Sequence, residues 1–259
     1  MRRWLRRPGV RLALLGVAAY VVFLAANLPA ALVGSALERA SRGSVALGEA
    51  RGTAWKGSGV LALRSGGAWR SVADIEWSCN PLALFVGRVD LRISGSGRDT
   101  QLRALASFGT AGASFRDVEL SAPVSVVEPV MAAAAFARPE GRLRLLADSL
   151  EVGAASLRGA ATVEWTDAGL GGMRAQRLGD YRLQITGSGD RAVVTLATLR
   201  GDLRLNGQGE WRAAQPRLVQ LRGVAEAAAE RKDLELLMQM LGARGTGTPQ
   251  PFTWSVPIG

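Results

Sequence analysis

Between Leu12 and Leu28 the chain carries no charged residue, and this one stretch restricts the solvent and compartment of everything after it. The segment LALLGVAAYVVFLAANL, with Leu32 and Val33 close behind, is long enough as a helix to cross roughly 30 Å of hydrocarbon. Helix is the only single-segment structure that satisfies its own backbone hydrogen bonds in lipid. Leu12, Leu15, Val17, Tyr20, Val22, Phe23, Leu24 and Leu28 are the expected anchor side chains.

Arg2, Arg3, Arg6, Arg7 and Arg11 precede this run, with no acidic residue among them. Positive flanks are retained on the cytoplasmic side. The pattern predicts a cytoplasmic basic tail over 1–11, a transmembrane anchor over 12–33 and a periplasmic β-rich domain over 34–259, in a single-pass bacterial inner-membrane protein. A cleaved signal peptide competes with this reading, but it has a shorter apolar core and a small-residue cleavage site. Here Ala25 and Ala26 lead into Asn27, Leu28 and Pro29, which is not a clean A-x-A pattern, so the retained anchor is favoured.

Composition narrows the chemistry. There is one cysteine, Cys79, so no intrachain disulfide can form, and there is no histidine in the 259 residues. That removes His-based triads, His-ligated zinc and imidazole general bases. Half of the formal net charge of +10 belongs to the basic tail. The remaining excess is dispersed as single arginines between apolar residues, the pattern of solvated strand faces and not of a nucleic-acid surface.

After Ser44 the period changes to two. Ala73, Ile75 and Trp77 oppose Val72, Asp74 and Glu76, and Val89, Leu91 and Ile93 oppose Arg88, Asp90, Arg92 and Ser94. Leu143 with Leu145, Tyr181 with Leu183 and Ile185, and Leu203 with Leu205 repeat the alternation against polar neighbours. One wet and one dry face per strand is the mark of an antiparallel sheet. Turn residues every eight to twelve positions indicate a meander of about a dozen strands. Phe252, Trp254 and Val256 alternate too, which fits a last short strand.

The expected fold is therefore mainly β: one N-terminal transmembrane helix, a meandering antiparallel curved sheet and one covering C-terminal helix over 224–241. Pro29 to Ala40 is expected to continue from the membrane helix as an interfacial segment. The recurrence of Ile93-Ser94-Gly95-Ser96-Gly97 as Ile185-Thr186-Gly187-Ser188-Gly189 leaves open two related β halves. Their joint would lie near 121–140, as a short alanine helix bracketed by prolines.

No catalytic set emerges. Gly57-Ser58-Gly59 and Gly95-Ser96-Gly97 place serines among glycines without a base to activate them. Asp74 and Glu76 share one side of a strand but read as solvated charge. Cys79, beside Trp77, reads as a buried inert thiol. No enzyme, cofactor or metal site is expected.

Two segments look placed for more than packing. Gly52-Thr53-Ala54-Trp55-Lys56-Gly57 and Trp77-Ser78-Cys79-Asn80-Pro81-Leu82-Ala83-Leu84-Phe85-Val86-Gly87 resemble the G-T-x-W-x-G and W-x-x-N-P-x-x-L-x-x-G motifs of the type II secretion system protein N family. Gly52, Thr53, Trp55, Gly57, Trp77, Asn80, Pro81, Leu84 and Gly87 carry the resemblance, as structural or partner-contact residues. It implies an anchored, non-enzymatic accessory or scaffold component of protein secretion. Its partners would be other secretion components of the inner membrane and periplasm. A similarity in plan to AsmA-like proteins implies the alternative, a module that binds or conveys lipid in an apolar β trough.

Overall fold

The computed structural model describes residues 8–65, 67–127, 138–171, 176–215, 218–228 and 249–257. Two helices, α1 (Pro8–Ala26) and α2 (Ala31–Ala40), lead into the sheet. Its first six strands are β1 (Val45–Gly52), β2 (Lys56–Ser65), β3 (Ala68–Asn80), β4 (Val89–Ser96), β5 (Gln101–Gly109) and β6 (Gly112–Pro123). The others are β7 (Pro139–Gly153), β8 (Ser156–Leu170), β9 (Gln176–Gly189), β10 (Arg191–Gly201), β11 (Leu203–Arg212), β12 (Leu218–Ala227) and β13 (Gln250–Pro257).

All thirteen strands form one curved, open sheet in which spatial order equals chain order, each strand antiparallel to the one before. The two-residue alternation explains the pairing. Along β7, Arg142 and Arg144 are exposed while Leu143 and Leu145 are half-buried. The dispersed arginines find carboxylates across the wet face: Arg182 with Glu164 at 2.7 Å, Arg144 with Glu119 at 3.4 Å and Arg204 with Glu226 at 3.9 Å. Such exposed pairs each contribute about 0.2–1 kcal/mol.

On the dry face small side chains sit opposite large ones: Ala104 pairs with Ile93, Ala122 with Leu143 and Ala161 with Ile185. β-Bulges bend the strands. Glu49, Asp117 and Asp167 take positive φ at register shifts in β1, β6 and β8, where an extra residue kinks the strand. The principal core lies over β8–β13, around Tyr181, Leu203, Leu205, Leu221 and Phe252. There the buried Tyr181 hydroxyl donates to the Leu203 carbonyl at 2.9 Å.

The expected continuation of the first helix through Pro29 changes. α1 stops at Ala26, and a turn separates it from α2 because residues 28–30 pair with the first hairpin instead of continuing the helix. Among the described residues no helix is long and apolar enough to cross a membrane. The helical and uncharged part of α1, residues 12–26, rises only about 22 Å, against roughly 30 Å of hydrocarbon. Where the expected joint over 121–140 is described, residues 121–123 finish β6, Val124–Val127 form a 3-10 turn, and β6 pairs directly with β7 across it. The expected alanine run itself lies outside the described residues.

The helix expected over 224–241 does not begin at Val224. Residues 224–227 end β12, held between β11 and β13. Residues 229–241 lie outside the described residues. Phe252 and Trp254 fall in β13 as their alternation indicates.

Candidate functional site

Gly52, Thr53, Trp55, Gly57 and Trp77 meet at one end of the first hairpin, where the chain passes from helix to sheet, and Asn80, Pro81, Leu84 and Gly87 follow at the end of β3. Gly52 ends β1, Lys56 opens β2 and Asn80 ends β3, so the turns after these strands share an end of the sheet. Thr53 sets the tight turn. Its amide donates to the Lys56 carbonyl at 2.9 Å, and its hydroxyl accepts from the Lys56 amide at 3.2 Å. The chain leaving α1 docks onto this turn: Pro29 bridges Thr53, the Ala30 amide donates to Gly52 O at 3.2 Å and the Ala54 amide donates to Leu28 O at 2.7 Å.

Trp55 ties in the helix itself. Its indole N–H donates to the Ala25 carbonyl at 2.7 Å, satisfying one of the acceptors that a helix C-terminus leaves without an intrahelical partner. Its own carbonyl accepts from the Cys79 amide at 2.6 Å. Trp55 thus joins α1, the first hairpin and β3, and its ring stays half-exposed.

Trp77 is the buried partner, 5% exposed, and donates its indole N–H to Ala54 O at 3.2 Å. Its ring lies over Gly57, the residue opposite it in β2. A Cβ at Gly57 would come within 2.5 Å of the ring and of Arg51 O, so this close approach needs glycine. The rest of the second motif builds a stop. The Asn80 side chain accepts from the Leu82 amide at 3.1 Å, Pro81 begins a 3-10 helix over Pro81–Val86, and Gly87 ends it at φ 70° with its amide on Leu84 O. Asparagine as N-cap, proline in the first turn and glycine in the left-handed cap are each suited to their place.

The 3-10 helix turns Leu82, Phe85 and Val86 outward, 70%, 88% and 72% exposed. The anchor residues are also outward: Leu12, Leu15, Val17, Tyr20, Val22, Phe23 and Leu24 are exposed on α1, and Leu28 is half-buried where it meets the hairpin. Arg11 lies in the first turn of α1, while Arg2, Arg3, Arg6 and Arg7 lie outside the described residues.

The other candidates remain separate. Asp74 and Glu76 are exposed and line a shallow groove with Ser94, Gln101 and Arg103. Ser58 lies opposite Glu76, and Ser96 opposite Asp74, on neighbouring strands. Cys79 is half-buried, a correction to its expected burial, because the edge of β3 here opens onto a groove shared with Asp90 and Ser107. Burial and then the Asp90 carboxylate push its thiol up, which keeps it a poor nucleophile. Asp90 itself is held below the usual carboxylate range, first by the Ser107 hydroxyl that donates to it and then by Arg88. Among the described residues no group of three His, Cys, Asp or Glu could hold a metal ion.

Sequence reasoning missed Ala25, Leu28, Ala30 and Ala54 as members of this joint, since backbone carbonyls and amides leave no mark in the side-chain pattern. The exposed 3-10 helix did carry a signal: an apolar run closed between Asn80-Pro81 and Gly87, too short to cross the sheet.

The arrangement defines a class, that of open single-sheet β proteins with an apolar helix docked at one end of the first hairpin. The family model for the type II secretion system (T2SS), protein N, matches residues 43–252, and the chain belongs to that family. It is thus an accessory component of type II secretion, a protein-transport system of the cell envelope. No curated protein and no solved structure matches the chain.

Proposed function

We propose that the chain is an inner-membrane-anchored periplasmic component of the type II secretion system, a non-enzymatic scaffold for other secretion components. The observation that carries this reading is the joint between α1 and the first hairpin, where Trp55 is anchored on Ala25 and Trp77 on Ala54. The motif serves to fix how the sheet leaves its helix. A helix with exposed apolar side chains behind an arginine-rich start supports the anchor and its orientation. The uncharged part of this helix rises about 22 Å, and local bilayer thinning and flanking residues accommodate the shortfall.

The test compares secretion of a type II substrate in a strain lacking the chain, complemented with the full protein or with residues 28–259 behind a cleavable signal peptide. The anchored protein restores secretion, and the released body does not. Equal rescue by both, or a mature protein beginning near Leu28 or Ala31, would overturn the anchored reading.

The second reading, lipid held on an apolar trough, is favoured by one observation. Trp165, Leu170, Leu183, Ile185, Leu196 and Val219 remain only partly buried along the inner face of β8–β12. Native mass spectrometry of the detergent-purified chain tests it: phospholipid that survives delipidation supports the trough, and bare protein supports the scaffold.

A further inference from the structure

We infer that the 3-10 helix Pro81–Val86 is a second membrane contact, a wedge whose Leu82, Phe85 and Val86 enter the headgroup boundary of the lipid leaflet next to the sheet. The inference rests on the anchored reading above. Phe85 is 88% exposed, and Leu82 and Val86 are exposed with it, on a turn whose Asn80 and Gly87 caps fix its shape. An apolar surface held in one conformation, with its polar backbone capped, is suited to a boundary where side chains meet acyl chains and the backbone stays near water.

Its position commits it to lipid. The Cys79 amide donates to Trp55 O, and Trp55 donates to Ala25 O in the last turn of α1. The wedge begins at Pro81, two residues beyond Cys79, so it leaves the sheet beside the place where α1 ends. A bilayer holding α1 therefore has its surface at the wedge. The residues around it also match an interface. Trp55 is a half-exposed tryptophan whose polar edge is satisfied, as in the aromatic belts of membrane proteins. Lys56 and Arg88 are exposed beside it, Arg88 being shared with Asp90, where anionic headgroups would lie. A helix alone leaves the sheet free to swing about its exit; a second contact on a neighbouring strand fixes the tilt.

The experiment uses the full chain in nanodiscs of phosphatidylethanolamine and phosphatidylglycerol. In a Cys79→Ser background, single cysteines at Leu15→Cys, Val86→Cys and Leu199→Cys carry a nitroxide, and relaxation by oxygen and by a water-soluble nickel chelate reports depth. Leu15 lies on α1 and Leu199 is exposed on β10, at the other end of the sheet. The expected oxygen-to-nickel ratio at Val86 falls between those two and drops to the Leu199 value when Leu82 and Phe85 are both changed to serine. Leu15 in lipid with Val86 matching Leu199 overturns the wedge and leaves the anchor standing. Leu15 open to nickel overturns both. Val86 shielded from oxygen and nickel alike overturns the lipid contact in favour of protein.

Discussion

The indole N–H of Trp55 and the carbonyl of Ala25 meet at 2.7 Å, joining two residues thirty positions apart in the chain. This is the one side-chain hydrogen bond among the described residues that runs from the sheet to α1.

Replacing Trp55 by phenylalanine keeps a ring but removes the donor, and the loss of one such bond costs about 1 kcal/mol. The loss should be local. Amide exchange at Ala30 and Ala54, whose N–H groups hold the helix exit on the hairpin, should quicken several-fold while β8–β13 keep their protection. Unchanged exchange at both amides would show that the tryptophan does not hold the joint.

Trp77 behaves as core. Truncation to alanine should destabilise the fold by roughly 3–5 kcal/mol, since glycine stands opposite it and cannot fill the void. Gly57→Ala should cost about 1–3 kcal/mol from the opposite direction, by pressing a methyl into the ring. Denaturant unfolding reads both. A Gly57→Ala protein as stable as the parent would mean that the indole lies elsewhere.

Asp90 gives the pH dependence a sign. The Ser107 hydroxyl and Arg88 lower its pKa. Its contribution to stability is therefore fully present above the ordinary value of about 3.9 and is lost as pH falls through the lowered one. Ser107→Ala should move Asp90 back up, as followed by its carboxyl carbon shift in NMR. The stability difference between the two proteins should vanish in acid below the parent's Asp90 pKa. A difference that persists there would be packing and not linkage.

Cys79 should alkylate slowly near neutral pH, although it is only half-buried. Because burial and Asp90 raise its pKa, the iodoacetamide rate should still be climbing above pH 9. Asp90→Asn should shift that profile towards lower pH. A plateau near pH 8 in the parent would contradict the raised thiol.

Most of the sheet was legible because its faces differ in solvent. Tyr181, Leu183 and Ile185 alternate in sequence and pack on one core in space, and the same holds for Phe252 and Trp254 in β13. Where reading failed, local preference and distant pairing disagreed. Ala225 and Ala227 are good helix formers, yet pairing with Leu205 and Leu203 draws them into β12. The bulges were hidden for a similar reason, since Glu49, Asp117 and Asp167 look like ordinary strand charges until a neighbouring register requires an extra residue. At the site, the motif residues could be recognised, but what the first motif holds could not. Trp55, Ala54 and Gly52 pair with backbone atoms of Ala25, Leu28 and Ala30, which leave no mark in the side-chain pattern.

Spatial order equal to chain order has a kinetic consequence. As the chain is synthesised, each strand meets its partner directly behind it, so no segment has to wait for a distant one. Loop closure stays short at every step, which removes the usual reason for large β proteins to assemble slowly. The assembly would grow outward from the first hairpin like a lengthening ribbon. A polypeptide interrupted part-way would carry correctly paired strands, with only its newest edge unfinished.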